Sequence, residues 1–344
     1  MFRRYLRIVT VIGISLLSLQ SINCQQLKWE AGFLGFFDNR EFFNEYTQPQ
    51  TMFGARTYGT LGLAINDNQK IAIGADYLFE FGSTAESENL KPILYFSHED
   101  EHSKLKIGAF PRIGVIEMPD FLMSDTLEYY RPNVEGTFIE FTVPWGFQNI
   151  WLDWTSRQTD VNRETFMLGG SGGVNLGMFF YRHHFLMFHY AGPAIPIEGD
   201  HIRDNGGANF LVGLDLSEKT FFDSLRISTG LSFSYDRLRN VYDNQYYFGN
   251  ITQVMAQYAG VGIKNTLSVG DGMVEMLGDP LYKATFYNRI DLFWKFFRKS
   301  NIIGKAEFST HILPGGEINF SQRLVVYMNI NGAKSLKSSK KPAI

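Results

Sequence analysis

Charged side chains recur at every second position through long stretches of this 344-residue chain. Asp76 and Glu80, Lys104 and Lys106, Asp153 and Arg157, Arg226 and Asp236, Arg289 and Asp291, and Lys305 and Glu307 each share a parity. Arg112, Glu140 and Arg323 fall in the same kind of pattern. Residues two apart in a strand point the same way, so each group would line one wet face. Around a pore, rows of both signs set up a transverse field that orients polar solutes. In a narrow interior the same charges pair across strands and fill the space.

Catalytic constellations are thinner. His183 and His189 would share a strand face, and His201 precedes Asp204-Asn205-Gly206. No serine stands where a lipid-hydrolysing barrel would need one, and no carboxylates accompany the histidines as metal ligands would. Asp38-Asn39-Arg40-Glu41 could hold calcium or a sugar, though it reads better as a solvated loop tip. Gly169-Gly170-Ser171-Gly172-Gly173 lies inside a strand pattern and marks a bend, not a phosphate cradle. No catalytic residue, metal set or cofactor is expected.

The elements that must carry these residues are long alternating strands. Ile318, Phe320, Leu324, Val326, Met328 and Ile330 oppose Asn319, Ser321, Arg323 and Asn329. Ile71, Ile73, Tyr77, Phe79 and Phe81 oppose Gly74, Asp76 and Glu80. Leu225–Arg237 and Ile302–Ile312 repeat the pattern. Soluble strands average about 5–6 residues, whereas a tilted membrane-spanning strand needs about 9–11. Aromatic residues make up 15% of the chain and bunch near strand ends, as interfacial girdles do. The spacing predicts an all-β fold: a single transmembrane antiparallel up-and-down β-barrel of 14–16 strands, with 16 favoured. A closed barrel leaves no backbone group unpaired in lipid. The one ambiguous stretch is 251–270, which could be one strand or two.

Residues 1–24 read as an export signal, with Arg3, Arg4 and Arg7 ahead of an apolar run too short to span as a helix. Cys24 is the only cysteine, so the mature chain has no disulfide. The whole chain has 32 basic and 35 acidic residues; without the three signal arginines this is 29 against 35, a net of −6. That balance argues against nucleic acid as a partner. The barrel is expected over 25–330, and a disordered basic periplasmic tail over 331–344.

Connections at 66–68, 99–103, 145–148, 181–183 and 298–301 are short and turn-like, as periplasmic hairpins are. Those at 37–50, 113–132, 192–206 and 238–250 are long and belong outside the cell. The 113–132 loop holds Met118, Phe121, Leu122, Met123, Tyr129 and Tyr130. So apolar a loop should fold into the barrel as a constriction or cover its mouth.

Phe36-Phe37-Asp38-Asn39-Arg40-Glu41-Phe42, Gly278-Asp279-Pro280 and Tyr287-Asn288-Arg289 also carry a resemblance. With the Gly-rich alternating strands, they resemble a group of porin-like outer-membrane barrels from Gram-negative bacteria of the Bacteroidota type. The resemblance covers most of the mature chain and implies fold and location, since the group has no settled activity. The expected function is a porin-like channel in the cell outer membrane. It would pass small hydrophilic solutes by diffusion, with oligosaccharides among the candidates, and its partners would be those solutes and outer-membrane lipid. The alternatives are a closed barrel with a surface-binding or lipid-hydrolysing role, and a soluble secreted β-rich carbohydrate-binding protein.

Overall fold

The computed structural model describes residues 26–83 and 89–335. Sixteen antiparallel strands follow one another around a ring, and the last pairs with the first. The strands are β1 Gln26–Glu41, β2 Gln50–Ala64, β3 Gln69–Glu80, β4 Leu90–Glu99, β5 Ser103–Pro111, β6 Asn133–Val143, β7 Gly146–Ser156 and β8 Thr165–Leu176. They continue with β9 Phe179–Tyr190, β10 Arg203–Asp215, β11 Ser224–Leu238, β12 Tyr242–Tyr258, β13 Val261–Gly270, β14 Phe286–Lys299, β15 Ile302–Ile312 and β16 Ile318–Ser335. Every neighbouring pair is antiparallel, so the sheet has no free edge to meet lipid.

The alternation assigns the faces correctly. Ile71, Ile73, Phe79, Leu231, Phe308 and Leu324 are exposed on the outer wall, while Asp76, Ser232, Ser234, Ser309 and Ser321 are buried on the inner one. Short turns and both described chain ends lie at one rim. Long connections, including 112–132 and 271–285, lie at the other. Because bacterial barrels keep short turns on the periplasmic side, the long-loop rim is the extracellular one.

Several boundaries differ from expectation. The 251–270 stretch is two strands joined by Ala259 and Gly260, both with positive φ. That is the geometry of a two-residue primed hairpin, disguised by an alanine where Asn, Asp or Gly is usual. Residues 238–250 are not a loop, because β12 begins at Tyr242. The turn near 181–183 falls instead at Gly177-Met178, inside which Gly177 has positive φ. β16 runs on to Ser335, paired with Gln26, so residues 331–335 belong to the barrel and not to a tail. The export segment, and the tail beyond 335, lie outside the described residues.

The two faces respond differently to charge. Phe308 points into lipid, and Phe308→Arg is expected to cost about 2–4 kcal/mol at mid-bilayer. Ser309 points inward, where a wet lumen would tolerate Arg. Instead it is 1% exposed and donates to Asp291 Oδ1 at 2.6 Å. Ser309→Arg should therefore also hinder folding, by overpacking. Thermal loss of the fast-migrating folded band on gels measures both; a neutral Phe308→Arg would place the outer wall elsewhere.

Candidate functional site

The inner wall of the extracellular half is unlike a wet pore lining. Phe110, Val134, Phe138, Trp151, Met167 and Leu186 all point inward from β5–β9 and are buried. Inward apolar residues are stable only if something covers them. Two loops do so.

The first loop spans 112–132. Arg112 ties its ends together: Nε donates to the Arg131 carbonyl at 2.9 Å, Nη2 donates to the Asn133 carbonyl at 3.3 Å, and the same guanidinium pairs with buried Asp153 on β7. The Arg112 amide also donates to the Pro132 carbonyl at 2.6 Å. A loop inside a protein must satisfy its own backbone. This one does so through turns such as Leu122 N to Pro119 O, and through the helical turn Thr126–Tyr130. Phe121, Leu122 and Tyr129 are 1%, 0% and 0% exposed, and Met123 is buried. Met118 packs on the same cluster. Tyr129 stacks on Phe36 with ring centroids 4.2 Å apart, and the Tyr130 hydroxyl donates to Glu80 at 2.7 Å.

The second loop spans 271–285. Asn205 on β10 holds it, donating to the Val274 carbonyl at 2.7 Å and accepting from the Met276 amide at 2.8 Å. The loops meet at Gly278-Asp279-Pro280. A Cβ on Gly278 would sit 2.0 Å from the Phe121 carbonyl, so only glycine allows this approach. The Asp279 amide donates to the Asp120 carbonyl at 2.8 Å, and the Ser124 amide donates to the Leu277 carbonyl at 2.7 Å.

Ion pairs latch the first loop to the opposite wall. Asp125 meets Arg40 of β1 and Arg323 of β16, each at 2.6 Å. Asp120 meets Arg289 of β14 at 3.0 Å. Between them remains a void of only about 20 Å³, room for a water. Beside it, His311 is fully satisfied: Nδ1 pairs with the Tyr287 hydroxyl at 2.8 Å and Nε2 with Ser321 Oγ at 2.9 Å.

Most of the expected lumen charges are on the inner wall, and several are paired across strands. Arg56 pairs with Asp76, Arg203 with Asp236 at 2.8 Å, and Arg289 with Glu307 at 3.3 Å; Arg289 also pairs along its own strand with Asp291 at 2.6 Å. Glu80, Lys104, Lys106, Glu140, Lys305 and Arg323 line the same face. Arg157 does not: it lies just past β7 and is exposed. Arg226 sits at the short-turn end, more than half exposed, beside Asp215 at 2.7 Å. Asp38–Glu41 is no solvated tip either. It is the end of β1, with Asp38 2% exposed and bound by Arg40 at 2.8 Å. Missed from the sequence were Arg56, the pairing of Arg40 with Asp125 and of Arg289 with Asp120, and the whole second loop. The sequence did mark that loop, with the same Gly278-Asp279-Pro280 that carried the resemblance.

Two carboxyls of the plug titrate in opposite senses. Burial raises Asp125, but Arg323, Arg40 and Arg289 outweigh it and hold it far below the usual range. Burial pushes Asp279 up to about 6, against its Leu281 amide bond and the nearby arginines. A group with a higher pKa folded than unfolded stabilises the fold when protonated, and that contribution is lost as pH rises through about 6. Asp125 stays ionised throughout this window. Protection factors of the amides in 271–285, each exchange rate divided into the intrinsic rate at the same pH, should therefore be higher at pH 5 than at pH 7.5. Asp279→Asn should abolish the difference; an unchanged difference would assign it to another group.

Outside the barrel, at the extracellular end of β9 and β10, His189 Nδ1 pairs with Asp204 at 2.7 Å, and Arg239 donates to the other Asp204 oxygen at 2.9 Å. Alternation directs His189 and Asp204 to the outer wall, as it does His183.

Solved porins share this architecture. The anion-selective porin from Comamonas acidovorans aligns with a TM-score of 0.55 at 8% identity, covering 88% of this chain and 99% of that one. A loop-deletion mutant of OmpT, an outer membrane protein of Vibrio cholerae, aligns at 0.54, with 8% identity over 90% and 100%. Salmonella typhi OmpF, in complex with daunomycin, aligns at 0.53, with 8% identity over 89% and 98%. At such identities the likeness shows the fold. No curated protein matches the chain. With its sixteen-strand closed wall, the protein is a barrel of the outer membrane. A family model described as Lipid A 3'-O-deacylase-type matches residues 19–340, nearly the whole length, and the chain belongs to that family.

Proposed function

We propose that the protein is a stoppered porin-like channel, passing small hydrophilic solutes by diffusion when its inward loops yield. The observation that carries this is the latch. A sixteen-strand wall is wide enough for an aqueous lumen. What fills it here is two loops, held to the wall by ion pairs and hydrogen bonds and not built from the wall's own strands. The charged, half-exposed inner face below the plug, with Glu30, Lys104 and Glu140, suits a water-filled vestibule. Liposome swelling with sugars of rising size tests the reading. Entry of small sugars with a sharp size limit supports it; no entry at any size, under any pH or salt, removes it.

A second reading follows from the family and from one local feature. The His189–Asp204 pair lies on the outward face at the extracellular end of β9 and β10, where a histidine oriented by a carboxylate could act as a general base on a lipid ester. Arg239 would offer a cation to a phosphate. Mass spectra of lipid A from cells with and without the protein test this, with His189→Gln as the control. Identical spectra exclude it.

A further inference from the structure

The plug occupies only the extracellular half. Below it, on the inner wall near the short-turn rim, two lysines converge on one ring. Lys70 of β3 and Lys106 of β5 are both register partners of Ser97 on β4, one from each side. Their ammonium groups sit 5.7 and 5.1 Å from the centroid of the Tyr95 ring, itself 3% exposed. Among the described residues, neither ammonium has a carboxylate within ion-pair distance. Of the nearby acids, Glu30 accepts from Tyr58 and Asn329 at 2.7 and 2.9 Å, Glu140 takes Lys104 at 3.0 Å, and Glu99, two residues on from Ser97 along the same face, is exposed and forms no ion pair with either lysine.

The arrangement recurs across the barrel. Lys295 and Lys305 are direct cross-strand partners, with their ammoniums 5.6 and 5.1 Å from the Phe293 ring. There the charge is already answered, since Lys305 pairs with Glu307 and Lys295 donates to Gln257 at 2.8 Å. The comparison shows what the first clasp lacks. An aromatic face steadies an ammonium without neutralising it. Two ammoniums held on one side chain still repel, and a shared anion relieves the repulsion.

We infer that Lys70, Tyr95 and Lys106 form a subsite for a small oxyanion, of the class of inorganic phosphate or a phosphomonoester, in the periplasmic vestibule. A dianion bridges both ammoniums through charge-assisted hydrogen bonds, while a monovalent ion satisfies one at a time. The subsite names a solute class for the proposed channel and rests on that reading for its biological use. Its existence as a binding site does not.

The test uses the full mature chain in detergent with inorganic phosphate, followed by calorimetric titration. Phosphate should bind. The double variant Lys70→Gln/Lys106→Gln should lose affinity roughly tenfold or more. Lys70→Arg/Lys106→Arg should keep it, and the exposed turn variant Lys219→Gln should match the parent. Heat-modifiable gel migration verifies that each variant is folded. Equal affinity in the parent and the double Gln variant, or no binding to the parent, overturns the subsite. Reversal potentials across a salt gradient form a separate arm. If the parent conducts with an anion preference that the double Gln variant loses, both ideas stand. If the parent conducts but ignores phosphate, the subsite fails and the channel stands. If the parent binds phosphate yet never conducts, the channel fails and the subsite stands.

Discussion

Deleting Met118–Leu127 should raise single-channel conductance several-fold, with the barrel still assembling. The segment removes Phe121 and Leu122 from the lumen, and with them the cover over the apolar inner wall of β5–β9. It also removes Asp120 and Asp125, the partners of Arg289, Arg40 and Arg323. Two carboxylates are thus lost from the lumen while the three guanidiniums stay, Arg40 on Asp38 and Arg289 on Asp291 and Glu307, so the wider pore should favour anions more than the parent does. The wall itself keeps its full ladder of strand pairs, and for that reason folding should survive. The second loop loses its contact at Gly278 and should become accessible to added protease. Conductance equal to the parent, in a folded variant, would mean that 271–285 alone closes the lumen or that no path exists.

Arg112→Ala should be the most damaging single truncation in the plug, costing about 3–5 kcal/mol. Arg112 is 2% exposed, and its removal strands Asp153, itself 1% exposed, as a buried charge. It also frees the carbonyls of Arg131 and Asn133, so the ends of the loop keep only the backbone bond from residue 112 to Pro132. Adding Asp153→Asn should recover much of the loss, because the stranded charge is gone. Unfolding in urea, followed by the gel shift, measures each variant and the double. A double variant no better than Arg112→Ala alone would assign the damage to the loop ends and not to the carboxylate.

The wall and one of the two loops inside it were legible in the sequence. Alternation is a local signal. It placed Phe308 outward and Ser309 inward because each residue's face depends only on its neighbours. What an inward face meets is non-local. Phe110, Trp151 and Leu186 alternate with other apolar residues, such as Ile107, Ile150 and Phe185, on the opposite face. Neither face of those strands therefore advertises a pore. The 113–132 loop betrayed itself by carrying Phe121, Leu122 and Met123 where a solvated loop would be polar. The 271–285 loop carries Met273, Leu281 and Tyr282 but was blurred by the uncertain strand count beside it. Asp38–Glu41 misled for a different reason. Four polar residues in a row look solvated, yet Asp38 is buried and Asn39 and Arg40 are half-buried, and the partners of the latter two, Asp125, Thr51 and Gln322, lie on other segments.

The pairing of β1 with β16 holds sixteen register partners, from Gln26↔Ser335 to Glu41↔Phe320, more than any other pair in the ring. It is also the one pair that no hairpin connects. Bringing together ends some three hundred residues apart carries a loop-closure entropy of about 5 kcal/mol that adjacent strands escape. The longest ladder thus lies where the entropic opposition is greatest, and the described ends, residues 26 and 335, finish side by side at one rim. Such a ring has no privileged starting point. Fusing residue 26 to residue 335 and reopening the chain at Ala259-Gly260 would give a circular permutant with the same wall and the same plug. Its closing seam would then be β12 with β13, ten partners long. That permutant should reach the same folded state more slowly.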